Sequence, residues 1–465
     1  MVITIPERIT GIMEKYDIDA MKQRIDSLAD NISEQAIPSA LYEKYEVNRG
    51  LRDLNGNGVL AGLTYISQVT AKKVVDGVEI PIDGKLYYRG IDVEDLVRGF
   101  IREKRFGYEE TVYLLLFGTL PTREELTFFH EVLGRNRSLP QGFTRDAIMN
   151  APSRDMMNAL ARAVLTLYTY DERPNDTSVR NLLRQSISLI AEFPLLAAYA
   201  YNTYLHYEHD QSLIIHPPSP DLSTAENLLS ILRKDSSYSE LEARVLDLAL
   251  VLHAEHGGGN NSAFAVHVVA SSGTDTYSAI ASALGSLKGP KHGGANNVVM
   301  AMMDEIKDAV GDWGDEDELT AYLLKILHKE AFDRTGLIYG VGHAIYSLSD
   351  PRALLFEEFV RQLASDKGRA QEYKLYSDIA RIAPQVITRE RRMYKGVSAN
   401  IDFYSGFVYE MLGLPREMFT PIFAISRIAG WTAHLIEETV SGKRIIRPAY
   451  RSVSEKAAYV PLSER

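Results

Sequence analysis

Apolar residues recur with the 3.6-residue period of an α-helix along nearly the whole chain, and this pattern constrains the fold most strongly. Leu241–Leu252 is dense in leucine and valine, and Asp317–Ala331 carries apolar residues near positions i, i+3, i+4 and i+7. Met418–Val440 has the composition of a long apolar helix with Pro421 in its first turn. The sequence therefore predicts an all-α fold with several fully buried helices.

Strand-forming residues are confined to one short region. Val59–Tyr88 contains β-branched runs around two Asp-Gly pairs, Asp76-Gly77 and Asp83-Gly84. Asp-Gly is a favoured pair for tight hairpin turns. We expect a small β-hairpin near the N-terminus of an otherwise helical protein, with a turn at each pair.

Local signals also predict where some helices begin or bend. Thr122 with Glu125, and Ser223 with Glu226, match the capping-box pattern at a helix N-terminus. Pro194 lies within a helical run and is expected to interrupt or kink it.

Composition excludes several classes of function. None of the 465 residues is cysteine, which removes disulfides, cysteine nucleophiles and iron–sulfur clusters. The net charge of −11 argues against nucleic acid as a main partner. The charged N-terminus shows no signal-peptide pattern, and the longest uncharged stretch, His256–Thr274, is rich in glycine, asparagine and serine. We expect a cytoplasmic protein that contacts neither membranes nor nucleic acid.

Leu252–Phe264 (LHAEHGGGNNSAF) is the first of four segments that combine residues a core does not require. His253 and His256 are one helical turn apart and precede three glycines. A metal site would need a third ligand, and HAEH lacks the HExxH spacing of zinc enzymes. The residues alone leave two interpretations open, a ligand-facing pair and two capping or core histidines.

Leu287–Met300 (LKGPKHGGANNVVM) places His292 just before a predicted helix. The positive end of the helix dipole disfavours protonation of a histidine at that position. A neutral imidazole there can donate a hydrogen bond to a developing enolate oxygen. The alternative is a loop histidine that bonds to the backbone.

Thr335–Phe356 contains a glycine-rich turn followed by His343. Gly340 and Gly342 resemble part of a dinucleotide fingerprint, but the motif is incomplete and lacks a βαβ context, so we reject that interpretation. Exposed backbone amides in such a turn would suit a ligand-facing loop. Arg352 follows an Asp-Pro pair and would be a rigidly placed cation for a carboxylate, or else an ordinary surface arginine.

Lys395–Gly413 places Asp402 between two apolar residues. Partial burial would raise the pKa of Asp402 and suit it to proton abstraction. Alternatively, Asp402 is a helix N-cap. Arg427 is a charge within an apolar helix and needs an anionic partner if buried, whereas Arg447 lies in a basic tail that could simply be solvated.

In order and spacing, these four segments together resemble the citrate synthase family. The motifs are HAEHGGGN, GPKHGGAN, GVGHAIYSLSDPR and NIDFYSG, and the likeness also covers Gly90–Leu96 and Glu109–Pro121. It extends from about Gly50 to Pro448. Jointly the motifs are very specific, although none of them would decide the function alone.

The resemblance implies a condensation of acetyl-CoA with oxaloacetate to give citrate and CoA, with no metal and no permanently bound cofactor. Asp402 matches the base that deprotonates acetyl-CoA, and His292 matches the neutral donor to the enolate. His343 matches the group that polarises the oxaloacetate carbonyl. The positions that match the carboxylate-binding residues are His256, Arg352, Arg427 and Arg447. The positions assigned to CoA are Gly340, Val341, Gly342, Ala344 and Lys395.

The resemblance also implies a quaternary and domain organisation. Members of the family are homodimers in which Arg447 would reach the active site of the other subunit. A large helical domain would span residues 1–292, with 408–465 returning to it, and a small helical domain would span 293–407.

Three other functions remain open from the sequence. A 2-methylcitrate synthase would use propionyl-CoA, and one methylene in an apolar pocket is worth only about 1–3 kcal/mol of discrimination. A lyase acting on citryl-CoA would share the fold. A non-catalytic paralogue is disfavoured because all three catalytic positions are filled.

Overall fold

The computed structural model describes residues 23–24, 26–27, 29–30, 36–53, 58–76, 78–343, 345–391 and 396–465. The chain divides into two compact units, Met1–Ala61 and Gly62–Arg465. Within its described residues, the first unit contains helix α1 (Ser39–Lys44) and a 3₁₀ turn (Arg49–Leu51).

Helices dominate the second unit, as the periodicity predicted. They are α2 (Val93–Arg102), α3 (Tyr108–Phe117), α4 (Arg123–Asn136), α5 (Met156–Leu167), α6 (Val179–His209), α7 (Thr224–Leu232), α8 (Glu240–His253), α9 (Asn261–Ala270), α10 (Thr276–Lys288), α11 (Ala295–Ala309), α12 (Glu316–Leu327), α13 (Pro351–Asp366), α14 (Ala370–Arg391), α15 (Ile401–Met411) and α16 (Phe419–Ser441). The described residues of this unit also include a π-helical turn (Thr144–Met149) and three 3₁₀ turns (Tyr168–Tyr170, Arg416–Met418 and Leu462–Glu464).

The predicted hairpin is present. Strands β1 (Ser67–Val75) and β2 (Val78–Tyr88) pair antiparallel, and the short β3 (Ile91–Asp92) pairs with β2. The chain reverses at Asp76, as expected, while Gly77 lies outside the described residues.

The second Asp-Gly pair does not form a turn between strands, contrary to the prediction. It lies inside β2, opposite a register shift between Thr70 and Lys72. The Gly84 amide there donates to the backbone oxygen of Ser349 at 3.2 Å. A Cβ on Gly84 would lie 2.3 Å from that oxygen, so glycine is required for the close approach.

Helix α16 lies at the centre of the core. It packs against α3, α6, α8, α9 and α10, and nearly every residue from Phe419 to Leu435 is buried. A helix that is apolar all round must be buried on all sides. Its observed bounds are one residue later at each end than predicted.

Two further local predictions can be compared with the structure. Both expected capping boxes are present, and a third, formed by Ser239 and Glu242, begins α8. Pro194 does not interrupt its helix, because α6 continues through it from Val179 to His209. An extensively buried helix can compensate for the lost hydrogen bond through packing.

The five helices between residues 295 and 411 pack on one another, α11 and α13 on α15 and α12 on α14. Helix α13 also packs against α8 and strand β2. His343 and Tyr346, which precede α13, accordingly contact His256 at the end of α8. The division into domains at 293 and 407 stays a prediction.

Among the described residues, no helix combines the length and apolar character needed to cross a membrane.

Candidate active site

His253 and His256, at the end of α8, are both buried. Nδ1 of His253 donates to the Ala249 carbonyl at 2.9 Å, and burial lowers the pKa of His253 to about 3. Burial also lowers the pKa of His256 well below its ordinary value, and the nearby positive charge of Arg352 adds to this effect. Both rings are therefore neutral at physiological pH. The fold permits this close packing because Gly257, which follows His256, adopts a φ of +89°.

His256, His343 and Tyr346 form one aromatic group. The ring centroids of His256 and His343 are 5.1 Å apart, and Tyr346 stacks on His343 at 4.7 Å. Nδ1 of His343 accepts the backbone amides of Ile345 (3.1 Å) and Tyr346 (3.2 Å). Because Nδ1 accepts both amide hydrogens, a proton on the ring lies on Nε2, which makes this nitrogen the donor.

Arg352 is buried and ion-paired, so it is not a surface arginine. Asp350 caps α13, and its carboxylate accepts from Nε (3.1 Å) and Nη2 (2.8 Å) of Arg352. The guanidinium also lies over the Tyr346 ring at 5.8 Å.

Arg427 is only 1% exposed and lacks an ion pair among the described residues. Its Nε donates to the His253 carbonyl at 2.6 Å, and its guanidinium lies over the Phe423 ring at 4.7 Å. Nη1 is buried with no hydrogen-bond partner in the described part of the chain. Burial lowers the pKa of Arg427, and the negative charge of Glu255 opposes this decrease. A buried, unpartnered guanidinium is costly unless an anion completes it.

Asp402 lies in the first turn of α15 and is half-buried. The alternative that Asp402 caps this helix is wrong, because Asn400 is the cap and accepts the Asp402 amide at 2.9 Å. Burial raises the pKa of Asp402 to about 6, although the charges of Arg352 and Arg427 oppose the rise. A carboxylate of this pKa is ionised at pH 7 and basic enough to accept a proton.

The loop that carries His343 is tied to the segment that precedes Asp402. Val341 and Ala399 form a β-bridge, and Gly342 donates to the Ser398 carbonyl at 2.8 Å. Asn400 donates two hydrogen bonds to this loop, one from its backbone and one from its side chain. Its amide donates to the Gly340 carbonyl (2.9 Å), and its side chain donates to the Gly342 carbonyl (2.8 Å).

Glycine is required at position 340 of this loop. Gly340 adopts a φ of +76°, and a Cβ there would lie 2.9 Å from the Phe403 backbone. The amides at 341 and 342 are used within the chain rather than exposed, donating to Ile338 and Ser398 respectively. Ala344 and Lys395, which the resemblance assigns to CoA, lie outside the described residues.

His292 lies where the sequence placed it, two residues before the Gly294 N-cap of α11. Its Nε2 is 3.1 Å from Oγ of Ser262, which also accepts the indole N–H of Trp431 at 3.0 Å. Burial lowers the pKa of His292 to about 4, and the charge of Arg427 adds to the effect. The ring is neutral, and it bonds to a side chain rather than to the backbone.

Arg447 is the one predicted carboxylate-binding residue that stays apart from the others. It lies on an exposed, extended tail beyond α16, tied to the body by the hydrogen bond from Ile446 to Ser271 (3.0 Å). Arg447 makes no hydrogen bond or ion pair with the residues that the structure describes.

Sequence reasoning missed several residues that hold the site together. The Phe423 ring packs edge-to-face with the rings of His253 and His292, at centroid distances of 4.7 Å and 6.4 Å. It also lies under the guanidinium of Arg427. Its position four residues before Arg427, on the same helix face, was the only available signal. Ser262 and Tyr346 carried no signal beyond ordinary helix and loop patterns.

The chain is similar in sequence to citrate synthases and to 2-methylcitrate synthases. The family described as citrate synthase, C-terminal domain, matches residues 54–449. The citrate synthase of Haloferax volcanii is 36% identical over 389 residues, which cover 82% of this chain and 93% of that protein. The 2-methylcitrate synthase 1 of Corynebacterium glutamicum is 34% identical over 430 residues, which cover 90% of this chain and 99% of that protein.

Solved structures give the same result. The citrate synthase of Pyrobaculum aerophilum matches with a TM-score of 0.72 and 32% identity, covering 90% of this chain and 95% of that one. The Thermoplasma acidophilum citrate synthase, solved as a ternary complex with carboxymethyl coenzyme A and oxaloacetate, matches with a TM-score of 0.73 and 26% identity, covering 90% and 99%.

These matches define an acyltransferase. The chain belongs to the citrate synthase family, since the family model covers most of its length.

Replacement of Asp402 by asparagine is expected to stabilise the unliganded protein at pH 7–8. The folded-state pKa is raised from 3.8 to about 6, so ionisation of Asp402 weakens the fold as pH rises through this window. The asparagine variant avoids that cost, and its free energy of unfolding should exceed that of the wild type by about 1–3 kcal/mol above pH 6. Below about pH 4 the gain should vanish.

Denaturant unfolding at pH 4 and pH 8 measures the difference. Asp221→Asn is the control, because Asp221 is exposed and the change there should stay within about 0.5 kcal/mol at both pH values. An equal or lower stability of Asp402→Asn at pH 8 would show that ionised Asp402 carries no such cost.

Proposed function

We propose that this protein is a citrate synthase, which condenses acetyl-CoA with oxaloacetate and water to give citrate and CoA. The observation that carries the proposal is the buried Arg427, whose Nη1 lacks a partner among the described residues beside three neutral histidines and the half-buried Asp402. An anionic substrate would complete the guanidinium. The carboxylate and the imidazoles would then perform proton transfer at carbon and oxygen.

The proposed first step is deprotonation of the acetyl-CoA methyl group by Asp402. A thioester methyl is a weak acid, so the negative charge that develops on the thioester oxygen needs a donor. We assign that donor to His292, held neutral by burial. The Ser262 hydroxyl lies within hydrogen-bond distance of both Asn260 Oδ1 (2.9 Å) and His292 Nε2 (3.1 Å). When it donates to His292, the ring carries its proton on Nδ1 and can donate it to the substrate.

The proposed second step is attack of the enol carbon on the oxaloacetate carbonyl. His343 would donate from Nε2 to that carbonyl and protonate the new alkoxide, because its Nδ1 is already engaged by two backbone amides. His256, Arg352 and Arg427 would bind the carboxylates. Hydrolysis of the citryl-CoA thioester by water then releases citrate and CoA.

The remaining assignments follow from the family. We propose that Gly340–Gly342, Ala344 and Lys395 contact CoA, and that Arg447 completes the carboxylate site of the other subunit in a homodimer. We also propose that the enzyme acts in the cytoplasm, in the tricarboxylic acid cycle. Recovery of the native protein in a membrane or exported fraction would contradict that location.

A 2-methylcitrate synthase is the second candidate, and the relative of that name at 34% identity is the observation that favours it. Thiol release from acetyl-CoA and from propionyl-CoA, each with and without oxaloacetate, separates the two. We expect release that depends on oxaloacetate, with the higher kcat/KM for acetyl-CoA. A higher kcat/KM for propionyl-CoA would replace the first candidate by the second, and absence of release with either would reject both.

Asp402→Asn should lower kcat by roughly 10²-fold or more, because it keeps the shape of the side chain and removes the base. The affinity for oxaloacetate should change little. In the wild type, kcat should rise with pH through about 6 as Asp402 ionises. Steady-state kinetics from pH 5 to 8 provide the measurement, with Asp221→Asn as the control, and near-normal turnover in Asp402→Asn would end the assignment.

Oxaloacetate is expected to close the proposed small domain, residues 293–407, onto the large one. Its carboxylates would join His256 and Arg427 on one side to His343 and Arg352 on the other. A ligand shifts a conformational equilibrium only through such differential contacts. Small-angle scattering should show compaction with oxaloacetate alone, whereas compaction with acetyl-CoA alone and none with oxaloacetate would contradict this order.

Mixing two inactive variants tests the shared site. Arg447→Leu and Asp402→Asn should each be nearly inactive as homodimers. A mixed dimer contains one site with an intact Asp402 and an intact Arg447 from the partner. Random pairing at equal ratio should therefore restore about a quarter of wild-type activity. If native mass spectrometry proves mixing and no activity returns, Arg447 acts within its own chain.

A further inference from the structure

A second group of histidines lies apart from the proposed catalytic residues. His267 on α9 and His434 on α16 face each other, with ring centroids 4.9 Å apart. We call these two residues the histidine pair. His267 Nε2 and His434 Nδ1 are 3.1 Å apart, and each ring has a carboxylate on its opposite side.

The outer carboxylates fix where the ring protons lie. Nε2 of His434 is 3.0 Å from Oε1 of Glu255, and Nδ1 of His267 is 2.7 Å from Oε2 of Glu438. A ring nitrogen beside a carboxylate carries the hydrogen and donates it. In the neutral rings, the two inner nitrogens then present lone pairs to each other. Two lone pairs at 3.1 Å repel, so the gap between them requires a cation, which is either a proton or a metal ion.

Glu437 supplies a third oxygen donor to this gap. Its Oε1 accepts the Tyr65 amide at 2.7 Å, which orients the carboxylate. Its Oε2 is buried without a hydrogen-bond partner in the described part of the chain, and lies 3.8 Å from His434 Nδ1. The three candidate ligand atoms all lie within 4.8 Å of one another. A tetrahedral ion with bonds of about 2.0–2.2 Å separates its ligands by roughly 3.4 Å, so a small rotation of Glu437 suffices.

The backbone leaves space beside the histidine pair. A Cβ on Gly258 would lie 3.3 Å from both His267 Nε2 and His434 Cε1. Any side chain at position 258 would therefore crowd an ion at the inner nitrogens. The fourth coordination position could be taken by water.

We propose that His267, His434 and Glu437 form a binding site for a divalent transition-metal ion, with Zn²⁺ the preferred ion. Two imidazoles and one carboxylate are a ligand set that zinc favours. Carboxylates on the far nitrogens of both rings are the outer-shell partners that orient metal-bound histidines and raise their basicity. The sequence predicted no metal, because the histidine spacing considered there was that of His253 and His256, which do not belong to this group.

The role of this ion is structural. It would join α9 to α16, and Glu255 would connect it to the segment that carries His256. None of the three ligands belongs to the proposed reaction, and the proposed chemistry has no step at this position. The inference is therefore independent of the proposed function.

Metal binding to the full untagged chain provides the test. After treatment with a chelator and dialysis, the protein is titrated with Co²⁺, and Zn²⁺ binding is measured by competition. We expect about one ion per chain, a visible absorption band of a low-symmetry Co²⁺ site, and a higher midpoint of thermal unfolding with Zn²⁺.

His267→Gln and Glu437→Gln should each weaken binding at least tenfold. The second variant keeps the oxygen that accepts the Tyr65 amide, so it should fold even if the first does not. His328→Gln is the matched control, because exposed His328 also contacts a carboxylate, that of Glu390 at 3.1 Å, but lies outside the proposed site. Binding that is absent in the wild type, or equal in all variants, would overturn the proposal and leave a proton between the rings.

Discussion

The burial of the Arg427 guanidinium is the constraint on which the rest of the site depends. Two other buried charges near it are paired within the chain. Arg352 pairs with Asp350 at 2.8 Å, and Glu255 pairs with His434 at 3.0 Å. Arg427 has only a backbone carbonyl and an aromatic face as described partners. A buried cation without an ion pair is costly, and this cost is the reason for the proposal that an anionic substrate binds to Arg427. The same positive charge disfavours protonation of His253, His256 and His292.

The two groups of histidines differ because of their neighbours. Burial and nearby guanidinium groups lower the pKa of His253, His256 and His292. Burial would also lower the pKa of His434, but the charge and hydrogen bond of Glu255 raise it to about 9 in the absence of any ion. In the opposite direction, burial would raise the pKa of Glu255, but His434 and Arg427 lower it to about 2. Helix α16 thus carries both Arg427, which has no ion pair among the described residues, and His434, which pairs with Glu255.

Much of the fold could be predicted from the sequence, because helical periodicity and capping boxes are local signals. The failures have physical causes. The Asp83-Gly84 pair is used for close contact with Ser349, which depends on a distant part of the chain. Asp402 has the residue type of a helix cap, but Asn400, two residues earlier, is the cap in the structure.

The positions of the motif residues could be predicted, but their supporting contacts could not. The roles of Ser262, Phe423 and Tyr346 arise from tertiary packing, and their residue types suit an ordinary core equally well. The Asp350–Arg352 ion pair could not be predicted either, because the Asp-Pro-Arg sequence is also typical of an ordinary helix N-terminus.

The β-bridge between Val341 and Ala399 has a consequence for protein engineering. His343 and Asp402 lie on two segments of chain that share three hydrogen bonds, two of them donated by Asn400 and one by Gly342. Residues 338–343 and 398–403 therefore form a single structural unit. A chimaeric protein that takes only one of these segments from a relative would pair it with a segment of different sequence. Crossover points in chimaeras should therefore lie outside both segments.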